Sequence, residues 1–351
     1  MNAAYQAIIA ASDDERRGLF LAAANRIGTT IQNIEKDFWV CWTLDALFHR
    51  LKPGGPRLLF KGGTSLSKGY GLISRFSEDI DVTVFRKDIG ADASIQDLEA
   101  LSKRTRGARL DAIKTACQAY IDGKLRIELI ELAREAMEAA AKDPKNLKVV
   151  LDEGDNDKQS LLIHYPSVVE ASEYVFPSVK IESGAKSALD PNQYCTITPY
   201  LAPDLKGGDS PVVPNVTTIY PQRTFMDKIL ILHGMVFFFE AKGTLRGNGR
   251  MSRHYYDVHQ LMNETIGEKT CSNNALIEDC VKHACQFFYR GSTGLDVAKR
   301  GTFRLRPTKV MVEPLRKDFD AMRPMIFGDA PTFKAVLDSV DRAEELLNKS
   351  T

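Results

Sequence analysis

"FKGGTSLSKGYGLISRFSEDIDVTVF" (residues 60–85) sets a small Gly-rich turn behind a short apolar run and an Asp-Ile-Asp triplet at the head of a second. The second run predicts a strand over 79–85, with "RLLF" (57–60) as another short buried strand. Residues i and i+2 of a strand share a face. Asp79 and Asp81 therefore stand side by side, and adjacent carboxylates repel unless a cation sits with them. A hard cation with oxygen ligands meets that need, and Mg²⁺ commonly completes its shell with water and substrate phosphates. Gly62 and Gly63 let backbone approach a ligand closely. The N–H groups that follow, with the hydroxyls of Thr64 and Ser65, are suited to cradle a triphosphate. Ser77, two residues before Asp79, is a candidate for the same site. The spacing matches neither G-x-G-x-x-G nor G-x-x-x-x-G-K-[ST], which weakens a Rossmann or P-loop assignment. The plainer alternative is an ordinary turn and a solvent-facing strand edge.

Outward from this stretch, the chain reads as helices before it and strands after it. Helical spacing covers 13–27, and Thr29 or Thr30 is placed to cap a helix that runs to about Arg50 with Ile31, Ile34, Phe38 and Cys41 in its buried stripe. "LKPGGP" (51–56) breaks it. Residues 95–141 read as two helical segments split near Gly107. Five short β-type runs follow: "NLKVVL", "SLLIHY", "SVKIES", "CTITPYL" and "VTTIY". From Pro221 the pattern is helical again, ending in an amphipathic helix over 332–349. The expected architecture is α/β, with a twisted mixed sheet in a core spanning 1–220 and a helical domain over 221–351 that completes the cleft.

The 47 Lys and Arg against 46 Asp and Glu leave a formal net charge of +1, so no global field attracts a polyanion. A nucleic-acid site must rest on local charge. Six cysteines in 351 residues suit reduced thiols rather than a disulfide scaffold. Trp39 and Trp42 read as core. Cys280, His283 and Cys285 do not share one helical face and lack a second ligand pair, so core packing is expected there. "ILILHGMVFFF" (229–239) is too short to span a bilayer, and residues 1–12 lack the basic start of a signal peptide. A cytoplasmic location without membrane association is the expectation.

The Gly-Gly turn followed by Asp-x-Asp resembles the DNA polymerase β-like nucleotidyltransferase superfamily. Five motifs in order narrow the likeness: "EKDFWV" (35–40), "FKGGTSLSK" (60–68), "RFSEDIDV" (75–82), "TFMDKIL" (224–230) and "RHYYDV" (253–258). Together they resemble the AbiEii/MenT family of nucleotidyltransferase toxins over roughly residues 30–265. The resemblance implies that Asp79 is the central catalytic carboxylate and Asp81 its metal-binding partner. It implies that Lys228 contacts substrate phosphates and that Asp257 is the later catalytic aspartate. Glu182 in "VKIES" is the candidate third metal-binding carboxylate. Asp227 stands where the family usually has Glu, and His254 where it often has Asp.

The implied activity is transfer of a nucleotide from an NTP to RNA, dependent on Mg²⁺ or Mn²⁺. The tRNA 3′ acceptor end is the leading acceptor, which would block translation, and an antitoxin encoded nearby is the implied partner. The alternatives are nucleotidylation of a protein or small molecule, and a non-catalytic nucleotide-binding module that sequesters a partner. Candidate RNA contacts are Arg246 and Arg250 in the Gly-rich loop "KGTLRGNGR" (242–250) and Lys299, Arg300, Arg304, Arg306 and Lys309 in "KRGTFRLRPTK" (299–309). A solvated charged face is the plainer account of the second segment.

Overall fold

Central strands need apolar residues on both faces, and "LLFK" and "IDVTV" supply them. In the computed structural model, described over residues 2–170, 176–205, 210–245 and 249–349, they form β1 (Leu58–Lys61) and β2 (Ile80–Val84). The five later runs form β3 (Lys148–Leu151), β4 (Ser160–His164), β5 (Ser178–Gly184), β6 (Asn192–Ile197) and β7 (Val213–Ile219). Among the described residues they join β1 and β2 in one sheet of order β3-β4-β5-β2-β1-β7-β6. The pairs β1–β7 and β2–β5 are parallel and the others antiparallel, so the sheet is mixed. Leu59, Phe60, Ile80, Val82 and Val84 are fully enclosed.

The chain packs as two units. The first holds residues 1–70, 76–93 and 103–219 and contains the whole sheet. Helix Ile31–Asp45 lies in it, opened by Thr30, whose side chain accepts from Asn33 N–H. Phe38, Trp39 and Trp42 of this helix are fully buried, with Phe38 and Trp39 meeting edge-on at 5.2 Å. Burial of each such side chain is worth about 1.5–3 kcal/mol or more. The second unit holds 71–75, 94–102 and 220–351. Its main helices are Pro221–Lys242, Ser252–Asn263, Asn274–Phe287, Lys309–Met322 and Phe333–Asn348.

One expectation fails locally, and one helix was not singled out in the sequence. Gly107 does not divide 95–141: it lies inside helix Lys103–Tyr120, and the interruptions fall at residues 100–102, after helix Ile95–Glu99, and at a π turn over Ile121–Leu125. A mid-helix Gly costs only about 1 kcal/mol, which neighbouring helix formers offset. Helix Lys309–Met322 begins where the basic segment ends and contains Pro314, so its sequence shows a breaker rather than a helix. All six cysteines are free thiols, and Cys280 and His283 are buried. Among the described residues no helix is long and apolar enough to cross a membrane.

Candidate active site

The first unit carries the carboxylates. β1 ends at Lys61 and the chain turns through Gly62, whose φ is +78°. A Cβ at Gly62 would overlap the Asp81 carboxylate and stand 2.7 Å from Asp81 Cγ, so only glycine fits. A short helical turn, Gly62–Thr64, passes into a π turn over Ser65–Gly69. Thr64 and Ser65 are fully buried. The Thr64 hydroxyl donates to the Asp79 carbonyl and lies 3.0 Å from Ser77 Oγ, and the Ser65 hydroxyl donates to the Gly62 carbonyl at 2.9 Å. Both hydroxyls tie the loop to itself and to the segment that presents Asp79.

Asp79 directly precedes β2, and Asp81 lies within it. Asp81 is the register partner of Lys61 on β1 and of Glu182 on β5, so Lys61, Asp81 and Glu182 form a row across three strands. Lys61 Nζ approaches Asp81 Oδ1 at 3.5 Å. Lys180 Nζ pairs with Glu182 at 2.9 Å and with Asp152 at 3.2 Å. Lys36 Nζ pairs with Glu78 at 2.7 Å. Asp79 is buried among other negative charges. Burial first, then the charges of Glu78, Glu182 and Asp81, push its carboxyl up to about 7, against the pull of Lys36. Two carboxylates are the usual protein share of a Mg²⁺ site, and Asp79 with Asp81 offers hard oxygens where negative charge is under-compensated. Among the described residues no three His, Cys, Asp or Glu side chains converge as a complete ligand set, and Glu182 is turned to Lys180. The donor chemistry therefore fits Mg²⁺ with substrate oxygens sharing its shell.

Three consecutive charged residues on helix Ile31–Asp45 hold this arrangement. Glu35 accepts from Val168 N–H at 2.7 Å and from the Ser167 hydroxyl at 2.5 Å. Lys36 takes Glu78, the residue next to Asp79. Asp37 accepts from Tyr200 N–H at 2.6 Å and pairs at 2.7 Å with Lys68, which closes the Gly-Gly loop and sits 3.5 Å over the Tyr200 ring. Burial works against the Lys68 ammonium, and Asp37 more than offsets it. Removing one member of such a buried pair costs about 3–5 kcal/mol.

The second unit carries a cationic cluster. Lys228 comes from helix Pro221–Lys242 and Asp257 from helix Ser252–Asn263. Asp257 is fully buried. Its Oδ1 takes Arg75 Nε at 2.7 Å, and its Oδ2 takes an Arg75 terminal nitrogen at 2.9 Å and Lys228 Nζ at 2.6 Å. Despite burial, the two cations hold the Asp257 carboxyl well below the usual carboxylate range. Burial, opposed by Asp257 and reinforced by Arg75 and Arg253, draws the Lys228 ammonium below its ordinary value. The same burial, with Lys228 and Arg253, keeps His254 neutral. Asp227 is exposed. Arg75 is absent from the residues expected at the site. Its one signal is position, a guanidinium opening "RFSEDIDV" four residues before Asp79. Phe327 N–H bonds to the Ser74 carbonyl at 2.8 Å and Arg75 bridges Ile326, so segment 71–75 is built into this unit.

The basic segment 299–309 is largely engaged within the chain. Arg304 forms a bidentate pair with Glu240, and Arg306 pairs with Asp341 at 2.8 Å and Glu345 at 2.9 Å. Arg300 donates to the carbonyls of Cys271 and Leu346, and Phe303 is buried. Arg304 and Arg306 are exposed and ion-paired, which agrees with a solvated charged face. Lys299 and Lys309 are exposed. Arg250 N–H is bound by Asp318, and Arg246 lies outside the described residues. A cavity of about 240 Å³ lined by Pro53, Gly54, Tyr120, Glu128 and Thr217 includes none of the carboxylates beside Gly62.

A family model described as the nucleotidyl transferase AbiEii toxin of type IV toxin–antitoxin systems matches residues 45–343. The Glu35–Lys36–Asp37 triplet precedes that span. Among solved structures, the chain is similar to the nucleotidyltransferase toxin MenT4 from Mycobacterium tuberculosis H37Rv, with a TM-score of 0.51 and 15% identity over 95% of this chain and 90% of that one. That likeness concerns the fold. No curated protein matches the chain.

Proposed function

Because the chain belongs to the AbiEii nucleotidyltransferase toxin family of type IV toxin–antitoxin systems, we propose that it transfers a nucleotidyl group from an NTP to RNA, with the tRNA 3′ acceptor end as the acceptor. The observation that carries the catalytic assignment is the row Lys61, Asp81, Glu182 beside Gly62, with Asp79 under-compensated at its edge. Asp79 and Asp81 hold Mg²⁺, with Glu182 as the third carboxylate once released from Lys180. The metal, when bound, supplies a Lewis acid at the phosphates. The sheet-bearing unit provides this core, and 221–351 make up most of the second, helical unit.

In the transfer, the acceptor hydroxyl oxygen bonds to the α-phosphorus, the α–β bridging bond breaks, and pyrophosphate leaves as the hydroxyl proton is lost. Gly62 and Gly63 let the triphosphate approach the backbone, while Thr64, Ser65 and Ser77 fix the loop and the Asp79 segment around it. Lys228 stabilises charge developing on the departing pyrophosphate. Loss of the acceptor end to modification stops aminoacylation, which is the toxic outcome. The antitoxin encoded nearby limits that outcome.

Labelling with each α-labelled NTP and Mg²⁺, first on total RNA and then on lysate protein, tests the reading. Label on tRNA, absent with Asp79→Ala, is the expected result. Label on protein or a small molecule alone would overturn the RNA assignment. Equal labelling by wild type and Asp79→Ala would remove Asp79 from the site.

A further inference from the structure

Asp257 matches the position at which the family resemblance implies a catalytic aspartate, yet its surroundings suit another task. It has no exposed surface, and both its oxygens are held by Arg75 and Lys228. Reaching a substrate or a metal would require stripping these contacts. One carboxylate against an ammonium and a guanidinium leaves a surplus of one positive charge. Arg253 on the Asp257 helix adds to it, and His254 beside it stays neutral. His254 Nδ1 is enclosed without a hydrogen-bond partner among the described residues. A buried cationic surplus is costly unless an anion completes it.

We infer that Asp257 is a positioning residue. It fixes the Lys228 ammonium and the Arg75 guanidinium side by side as one cationic pair for a substrate phosphate, and it touches neither substrate nor metal. The identity of the anion rests on the nucleotidyl-transfer reading, but the holding role does not. The Arg75 fork binds both carboxylate oxygens and so sets the Asp257 orientation, and Asp257 in turn sets where Nζ of Lys228 points. Arg75 becomes the second phosphate-facing cation of the reaction.

Two variants act on Lys228 in opposite directions. Asp257→Asn removes its counter-charge, and Arg75→Gln removes a like charge. Charges at this distance shift a neighbour by about 1–3 pH units. NMR of lysine labelled at Cε and Nζ, titrated from pH 7 to 11, should show Lys228 deprotonating at lower pH in Asp257→Asn and at higher pH in Arg75→Gln. A non-hydrolysable NTP with Mg²⁺, followed by calorimetry, should bind at least about tenfold more weakly to each variant. For Asp257→Asn the loss should deepen between pH 7 and 9.

If Asp257→Asn does not fold, Arg75→Gln carries the test through its opposite sign. An unmoved Lys228 titration in both variants overturns the proposal. So does unchanged NTP binding with abolished turnover in Asp257→Asn, which is the pattern of a carboxylate acting on the reacting atoms. Tighter NTP binding in Asp257→Asn also overturns it, since Asp257 would then compete with the phosphate. The expected Lys228 shifts in the two variants, together with a wild-type protein that binds no NTP, would leave the holding role standing and remove the nucleotidyl-transfer reading.

Discussion

Asp79 combines partial burial with three neighbouring negative charges, and its raised carboxyl has a defined thermodynamic sign. Its folded value of about 7 lies above the unfolded value of about 3.9. Between these pH values the native state holds a proton that the unfolded state has lost, so metal-free stability falls as pH rises and levels off above about 7. Asp79→Asn should therefore melt higher than wild type at pH 8, with the gap closing towards pH 4. The linkage limit is about 4 kcal/mol, reduced by the solvent the carboxyl retains. Parallel melting curves for the two proteins from pH 5 to 8 would sink this account. Gly62 allows a second test. Gly62→Ala suffers both a positive φ and overlap with the Asp81 carboxylate, whereas in an Asp81→Ala background the overlap with the carboxylate is gone, leaving the backbone strain of about 1–3 kcal/mol and a tight 3.0 Å approach to the Cβ of residue 81. A double-variant cycle by urea denaturation should return a coupling of about 0.5–3 kcal/mol. Additive effects would mean that Asp81 does not fill that space. The pairing of the two aspartates with a glycine turn was legible in the sequence because turn chemistry and strand alternation are local. Arg75 was not, since its partner lies 182 positions away.

At the scale of elements, helix Ile31–Asp45 shows why a motif can be visible while its work is hidden. "EKD" stands out as three charges in an apolar run, but the sequence cannot say that they reach Val168, Glu78 and Lys68. Asp37→Ala should cost about 3–5 kcal/mol by leaving Lys68 buried and unpaired. Adding Lys68→Met should recover much of that loss. A double variant no more stable than Asp37→Ala would show that the pair is not the bolt described. The strands were readable because each is a short apolar run between turn residues, and their order in the sheet was not, because register between distant strands leaves no local trace. The 309–322 helix was missed for a nearer reason: Pro314 and five basic residues upstream mask an apolar face formed by Met311, Leu315, Phe319 and Met322.

For the molecule as a whole, a net charge of +1 makes the disposition of each cation decisive. Arg304 and Arg306 are already paired with Glu240, Asp341 and Glu345 in exposed contacts that contribute little to stability. Changing both arginines to Ala should leave the salt dependence of RNA binding unaltered and lower stability only slightly. A slope reduced by about 0.7–0.9 per residue would instead make them phosphate contacts. The two packed units are not two stretches of chain, since 71–75 and 94–102 belong with 220–351. During synthesis, Arg75 leaves the ribosome 182 residues ahead of Asp257. At about 5–20 residues per second, that is a wait of roughly 10–35 s. A nascent chain already displays Asp79 and Asp81 throughout this interval while its guanidinium has no carboxylate to close on. A message broken anywhere before codon 257 yields a polypeptide lacking that closure.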